Sequence, residues 1–180
     1  MPVTWPAWTR TKLIVNTSGV GWRAPEGGAS CRQGASGRPQ PAGIMITSPT
    51  AESPAARSGP LAFERAGVTP EEIDTCQIYD AFTSMVLQTF EGLGFCKKGE
   101  GGPFVADGRM RLDGALPTNT DGGGLSHCHP GMRGMFLLVE GVRQLRGEAH
   151  GRQVDDAKLC CVSGTGGWFS SSSTVILGVE

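Results

Sequence analysis

The run Asn119-Thr120-Asp121-Gly122-Gly123-Gly124-Leu125-Ser126-His127-Cys128-His129-Pro130-Gly131 delivers a histidine onto the start of a helix through a glycine-rich loop. Consecutive glycines let the backbone approach a ligand closely. Pro130 suits the first helical position, where its missing N–H has no intrahelical partner to lose. A histidine there meets the positive end of the helix dipole. That field disfavours imidazolium and favours a neutral imidazole able to donate one hydrogen bond to an anion developing on a substrate oxygen. His129 is therefore the first candidate for chemistry, with Gly123 and Gly124 as the backbone that admits a substrate. The competing reading of the same residues is a helix-capping histidine.

Two further segments stand where strands give way to other elements. Tyr79-Asp80-Ala81-Phe82 follows a β-prone run, and Tyr79 is the only tyrosine of the chain. A phenol can donate a hydrogen bond to a carbonyl, or carry a proton if its neighbours lower its pKa from about 10. The plainer alternative is a strand-end tyrosine with its hydroxyl in water. Asp80 reads as a cap that orients the helix following it. Ser163-Gly164-Thr165-Gly166-Gly167 succeeds the apolar Leu159-Cys160-Cys161-Val162, with Gly166 and Gly167 allowing close backbone approach to a ligand.

In order and wording these three segments resemble the C-terminal half of the thiolase superfamily, specifically its lipid-transfer or sterol-carrier-protein branch. There the first motif reads Asn-Glu-Ala-Phe or His-Asp-Cys-Phe, the second ends in Gly-His-Pro, and the third is Cys-x-Gly-Gly-Gly. Gln144-Leu145-Arg146-Gly147-Glu148-Ala149, continuing through Gly151-Arg152-Gln153-Val154, is similar to that branch as well. The resemblance covers residues 43–180, and three ordered motifs are far more specific than one.

The resemblance implies an α/β half-domain with a mixed sheet and packed helices, acting on a coenzyme A thioester with no further cofactor. It assigns His129 to oxyanion binding. Tyr79 takes the position of the family's Asn or His, and Ser163 that of a cysteine that moves a proton. Serine has no thiolate-like state near neutral pH, which departs from an ordinary thiolase cycle. Cys161 alternates onto the same strand face as Ser163 and reads as a core thiol. The family's nucleophilic cysteine belongs to an N-terminal half. Residues 1–42 do not resemble such a half, and Cys31 lacks the helix that would follow a nucleophile. The expected partners are thus acyl-CoA, a second copy or a thiolase N-terminal half, and, for members that carry tyrosine in the first motif and perform retro-aldol cleavage, a small OB-fold protein. Three readings follow: an acyl-CoA acyltransferase, a retro-aldolase subunit, and a noncatalytic assembly or lipid-binding half-domain. In each, the chain by itself is expected to be inactive.

Composition narrows the classes. A formal net charge of −1 provides no electrostatic footprint for nucleic acid. No apolar stretch approaches the roughly 20 residues that span a bilayer, so no membrane span is expected and the reading is cytoplasmic. The six cysteines lack paired C-x-x-C spacing and read as reduced, mostly buried thiols. His127-Cys128-His129 has no second Cys/His pair at finger spacing, so no metal is expected.

These motifs need elements to hold them. Residues 1–42, rich in Gly, Pro, Ser and Arg, show no periodicity and read as an irregular or disordered extension to a domain of residues 43–180. Pro60 to Ala66 reads as a helix with Pro60 in its first turn, and Thr69-Pro70-Glu71-Glu72 as a capped turn. Thr75 to Tyr79 reads as a strand. Phe82, Met85, Val86, Phe90 and Leu93 form one inward helix face. Lys97 to Thr118 reads as a long loop with a short hairpin at Arg109-Met110-Arg111-Leu112. A second helix from Pro130 to Leu145 is expected to bury Met135, Phe136, Val139, Val142 and Leu145, before two strands at Lys158–Ser163 and Thr174–Val179.

Overall fold

Thr75-Cys76-Gln77-Ile78 is buried at every position, as a strand must be when both faces of its sheet are covered. The computed structural model describes residues 11–14, 53–127, 131–166 and 169–179, the first segment by its backbone alone. Their order is β1 (Thr11–Ile14), α1 (Ala55–Ala66), β2 (Thr75–Ile78), α2 (Thr83–Leu93), α3 (Gly101–Ala106), α4 (Gly123–Ser126), α5 (Arg133–Arg146), β3 (Leu159–Gly166) and β4 (Ser171–Val179). The sheet runs β1-β4-β3-β2. β2 lies parallel to β3, with Cys76 opposite Cys161 and Ile78 opposite Ser163, while β3 and β4 form an antiparallel hairpin.

Alternation along the strands divides the core. Cys76, Ile78, Cys161 and Ile176 pack against Phe63 of α1 and Phe90 and Leu93 of α2. Cys160, Val162, Val175 and Leu177 pack on the other face against Leu137 and Leu145 of α5. The result is the α/β half-domain that the sequence predicts, with helices on both faces of a mixed sheet. Cys76, Cys160 and Cys161 are fully buried free thiols.

Several expectations are corrected. Within residues 1–42, Thr11–Ile14 forms the outer strand, pairing antiparallel with β4 so that Thr11 faces Val179. Four residues are too few for a periodic signal, and the free edge of β4 selects them. α1 begins before Pro60, at Ala55, because Ser53 Oγ accepts from the Ala55 amide at 3.2 Å and Pro54 occupies the entry. Pro60 therefore lies inside the helix. Phe82 precedes α2 in extended backbone and is 62 % exposed, whereas Val86, Thr89, Phe90 and Leu93 form the buried face. Residues 97–118 hold a short helix, α3, and no paired strands. Two successive turns, Arg111 N to Gly108 O and Gly114 N to Arg111 O, fold the chain back. The Leu116 amide then donates to Arg109 O at 2.9 Å and the Thr118 amide to Met110 O at 3.1 Å, a hairpin-like return at the expected residues that does not extend into regular strands. The Thr69–Glu72 capping box forms as expected.

α5 shows the largest reversal. Met135, Phe136 and Val139 face outward, while Arg133, Leu137, Glu140, Gly141, Gln144 and Leu145 are buried. The helix lies so close to the sheet that a Cβ on Gly141 would stand 3.1 Å from Cys160 Sγ and from Leu177 Cδ1. Only a narrow face of small and polar residues, with Leu137 and Leu145, fits that approach. Leu137→Ala should therefore lower the unfolding free energy by about 2–5 kcal/mol. Phe136→Gln, on the outer face, should change it by less than about 0.5 kcal/mol, both read from urea denaturation midpoints.

Candidate functional site

Arg133 enters α5 in the first turn, 3 % exposed, where the helix dipole opposes a cation. Carboxylates answer it. Nη1 donates to Asp121 Oδ2 at 2.8 Å and Nη2 to Oδ1 at 3.1 Å, and Asp80 Oδ1 lies 4.0 Å from Nε. Asp80, itself 4 % exposed, also accepts the amides of Gly124 at 2.7 Å and Leu125 at 3.2 Å. It thus caps α4, 44 residues along the chain, rather than the helix that follows it. Gly123 has φ 73, and a Cβ there would collide with the Asp80 carboxylate. The glycine run is needed so that Asp80 can reach the loop.

A second grip lies one residue earlier. Thr120 Oγ1 donates to Glu140 Oε1 at 2.7 Å and accepts from Gln144 Nε2 at 2.9 Å and Gln77 Nε2 at 3.1 Å. Glu140 is in turn bound by Arg152 through Nε at 3.0 Å and Nη2 at 2.9 Å. Asn119 completes the attachment. Its Oδ1 accepts the Ile78 amide at 2.7 Å and its own amide donates to Cys76 O at 2.9 Å. The loop is thereby laid along the free edge of β2.

Burial pushes the Asp121 carboxyl up, but the Arg133 fork and the Gly123 amide outweigh it and leave the group below its ordinary value. Glu140 is likewise held low against burial by Arg152, Thr120 and Gln144. His127 Nε2 lies 2.8 Å from Asp121 O, so the loop turns back on itself just before residue 128.

Tyr79 stands at the C-terminal end of β2, half-buried against the α5 cluster. It therefore shares a sheet face with the loop. Ser163 does not join it. Ser163 is fully buried on the α1 face, beside Thr174 Oγ1 at 3.5 Å, and Ser58 of α1 contacts the same Thr174 oxygen at 2.8 Å. The Gly123 and Gly124 amides are taken by Asp121 at 2.9 Å and Asp80 at 2.7 Å, so the close approach they permit is to carboxylates. Gly166 ends β3 at the hairpin. His129 and Gly167 lie outside the described residues. Asp121, Arg133, Glu140 and Thr120 escape a reading by apolar periodicity. Their signal is the polar stripe Arg133, Glu140, Gln144 at helical spacing on α5. Beside the start of that helix is an open groove of about 320 Å³, walled by Met132, Met135, Leu138, Val162 and Val175. Among the described residues no cluster of His, Cys, Asp and Glu could hold a metal, and no helix is long and apolar enough to cross a membrane.

A mixed sheet between helices, with a carboxylate-anchored glycine loop laid beside β2, defines an α/β half-domain. Residues 40–179 match the family described as Thiolase C-terminal domain-like, and the chain belongs to it. It is 43 % identical over 110 residues to an acetyl-CoA acetyltransferase of Methanothermobacter thermautotrophicus, covering 59 % of this chain and 29 % of that protein. It is 41 % identical over 102 residues to the 17-hydroxy-3-oxo-4-pregnene-20-carboxyl-CoA lyase of Mycobacterium tuberculosis, covering 57 % of this chain and 26 % of the lyase. The solved Ltp2-ChsH2(DUF35) aldolase superposes with a TM-score of 0.64 at 35 % identity, over 72 % of this chain and 33 % of that one. The chain thus spans less than a third of the length of the curated relatives it matches.

Both depressed carboxyls carry a pH dependence of known sign. Their contribution to stability is complete above the unfolded values, about 3.9 for Asp and 4.3 for Glu, and is lost as pH falls through the lower folded values. Urea midpoints should hold steady from pH 7 to pH 5 and then decline with acidity. Asp121→Asn should flatten part of that decline, which midpoints at pH 6, 4 and 3 will show.

Proposed function

We propose that this chain supplies the oxyanion-binding and acid–base half of a thiolase-superfamily enzyme that cleaves a carbon–carbon bond beside an acyl-CoA thioester, on lipid or sterol side chains. The observation that carries this reading is the convergence, on one face of the sheet, of Tyr79 at the end of β2 and the Asp80-anchored loop leading to His129. In a retro-aldol cleavage a base removes the proton of a β-hydroxyl, the Cα–Cβ bond breaks, and its electron pair passes to the thioester as an enolate. Protonation of the enolate then yields the shorter acyl-CoA and a carbonyl product. Tyr79 is suited to the hydroxyl proton and His129 to the enolate oxygen.

The burial of Ser163 on the far side of the sheet favours this route over a thiolase cycle, which needs a proton-moving thiol at that position. The lyase and aldolase relatives point the same way. The identity with an acetyl-CoA acetyltransferase supports a second reading, acyl transfer with the nucleophile on other polypeptide.

Either chemistry needs a larger assembly. Met132, just before α5, and Met135, Phe136 and Val139 on it are 43–63 % exposed, and two of the four also wall the groove. An apolar surface of this kind marks an association face. The reading seats the remaining thiolase half, or a second copy, against α5, with an OB-fold partner as the companion of the aldolase route.

Purified alone, the chain should associate or precipitate and turn over neither a β-hydroxyacyl-CoA nor acetoacetyl-CoA. Supplying a thiolase N-terminal half or an OB-fold partner should restore solubility and cleavage. In that assembly His129→Ala should lower kcat by about 10²–10³, and Tyr79→Phe by about 10²–10⁴, with unchanged thermal unfolding. Parental turnover in both variants, followed by chromatography of the CoA products, would remove these residues from the chemistry.

A further inference from the structure

A buried ion pair is weak grounds for stability, since apolar residues of equal volume often do as well. Arg133 carries the full desolvation cost, at a helix end whose dipole opposes it, and its Nε has no hydrogen-bond partner among the described residues. Yet its two Nη atoms are spent on one side chain, that of Asp121. Asp121 is the residue from which the loop is organised. Its Oδ1 accepts the Gly123 amide at 2.9 Å and its carbonyl meets His127 Nε2 at 2.8 Å. A planar two-pronged donor fixes the orientation of a carboxylate, which a point charge does not.

We propose that Arg133 is a positioning residue, whose fork on Asp121 holds the segment from Asp121 to His127 in the one arrangement that leads the chain to His129. The proposal rests on the reading of His129 given above. It assigns Arg133 no contact with substrate. α5 thus does two things with one face: Leu137 and Leu145 fasten it to the sheet, and Arg133 transmits that fixed position to the loop.

Arg133→Lys keeps the charge and removes the fork, which makes it the informative change. In the full chain, amide hydrogen exchange at Gly123, Gly124 and Leu125 should accelerate about tenfold or more, while Leu137, Val162 and Leu177 keep their protection. The ring nitrogen signals of His127 should move in heteronuclear NMR spectra, and those of His150, the third of the chain's three histidines, should not. In the assembled enzyme kcat should fall about tenfold or more with KM unchanged. Exchange that stays at the parental rate in the loop, or rises equally through the core, would overturn the proposal. Should Arg133→Lys fail to fold, Asp121→Asn, which keeps the volume and removes the carboxylate, is read in the same way. Faster loop exchange with undiminished turnover would likewise overturn the proposal, while the part of His129 itself is read separately from His129→Ala.

Discussion

Arg133 is a cation buried at the end of a helix that repels cations, and the surrounding loop is organised by the two carboxylates that answer it. Taking such a group out of water costs several kcal/mol unless its donors are met by well-placed acceptors. Asp121 meets two of them directly, and Asp80 stands behind as a second negative charge. Asp80 in turn receives the amides that open α4. A helix of four residues has no stability of its own, so α4 exists because this carboxylate binds its first turn. Loop, strand end and helix start are thus three parts of one electrostatic unit.

The same loop is tied to the core by hydroxyl and amide groups. Thr120 sits among Gln77, Glu140 and Gln144, with each of its hydrogen-bonding capacities used. Gln77 Oε1 has no partner among the described residues, but the Thr120 hydroxyl itself is fully used, and breaking any of its bonds would strand a further buried polar atom. This network explains how a segment dense in glycine keeps a defined path beside β2.

Strand parity decides which groups can cooperate. Ile78 faces α1 and α2, so its neighbour Tyr79 faces α5 and the loop. Cys161 faces α1 and α2, so Ser163 does too and lies beside Thr174, whose hydroxyl is also in contact with Ser58 of α1. A shift of one residue would exchange these roles, since side chains alternate with a period of two. The chemistry open to the site therefore follows from an even or odd count along β2 and β3.

Much of the fold and part of the site are legible from residue order. The β-prone runs, the glycine loop before a helix, the capping box at Thr69 and the three motifs of the family are local signals, and local signals survive in a linear chain. The facing of α5 is not such a signal. Met135, Phe136 and Val139 satisfy a helical period as well as any buried stripe, and only the close approach of Gly141 to Cys160 and Leu177 shows that the opposite, more polar face is the inner one. Likewise the pairing of β1 with β4, the capping of α4 by Asp80 and the fork of Arg133 on Asp121 join residues distant in sequence or depend on which groups lose water together. Burial is a property of the assembled layers, so the worth of each charge in this site was decided only when the sheet and α5 closed over it.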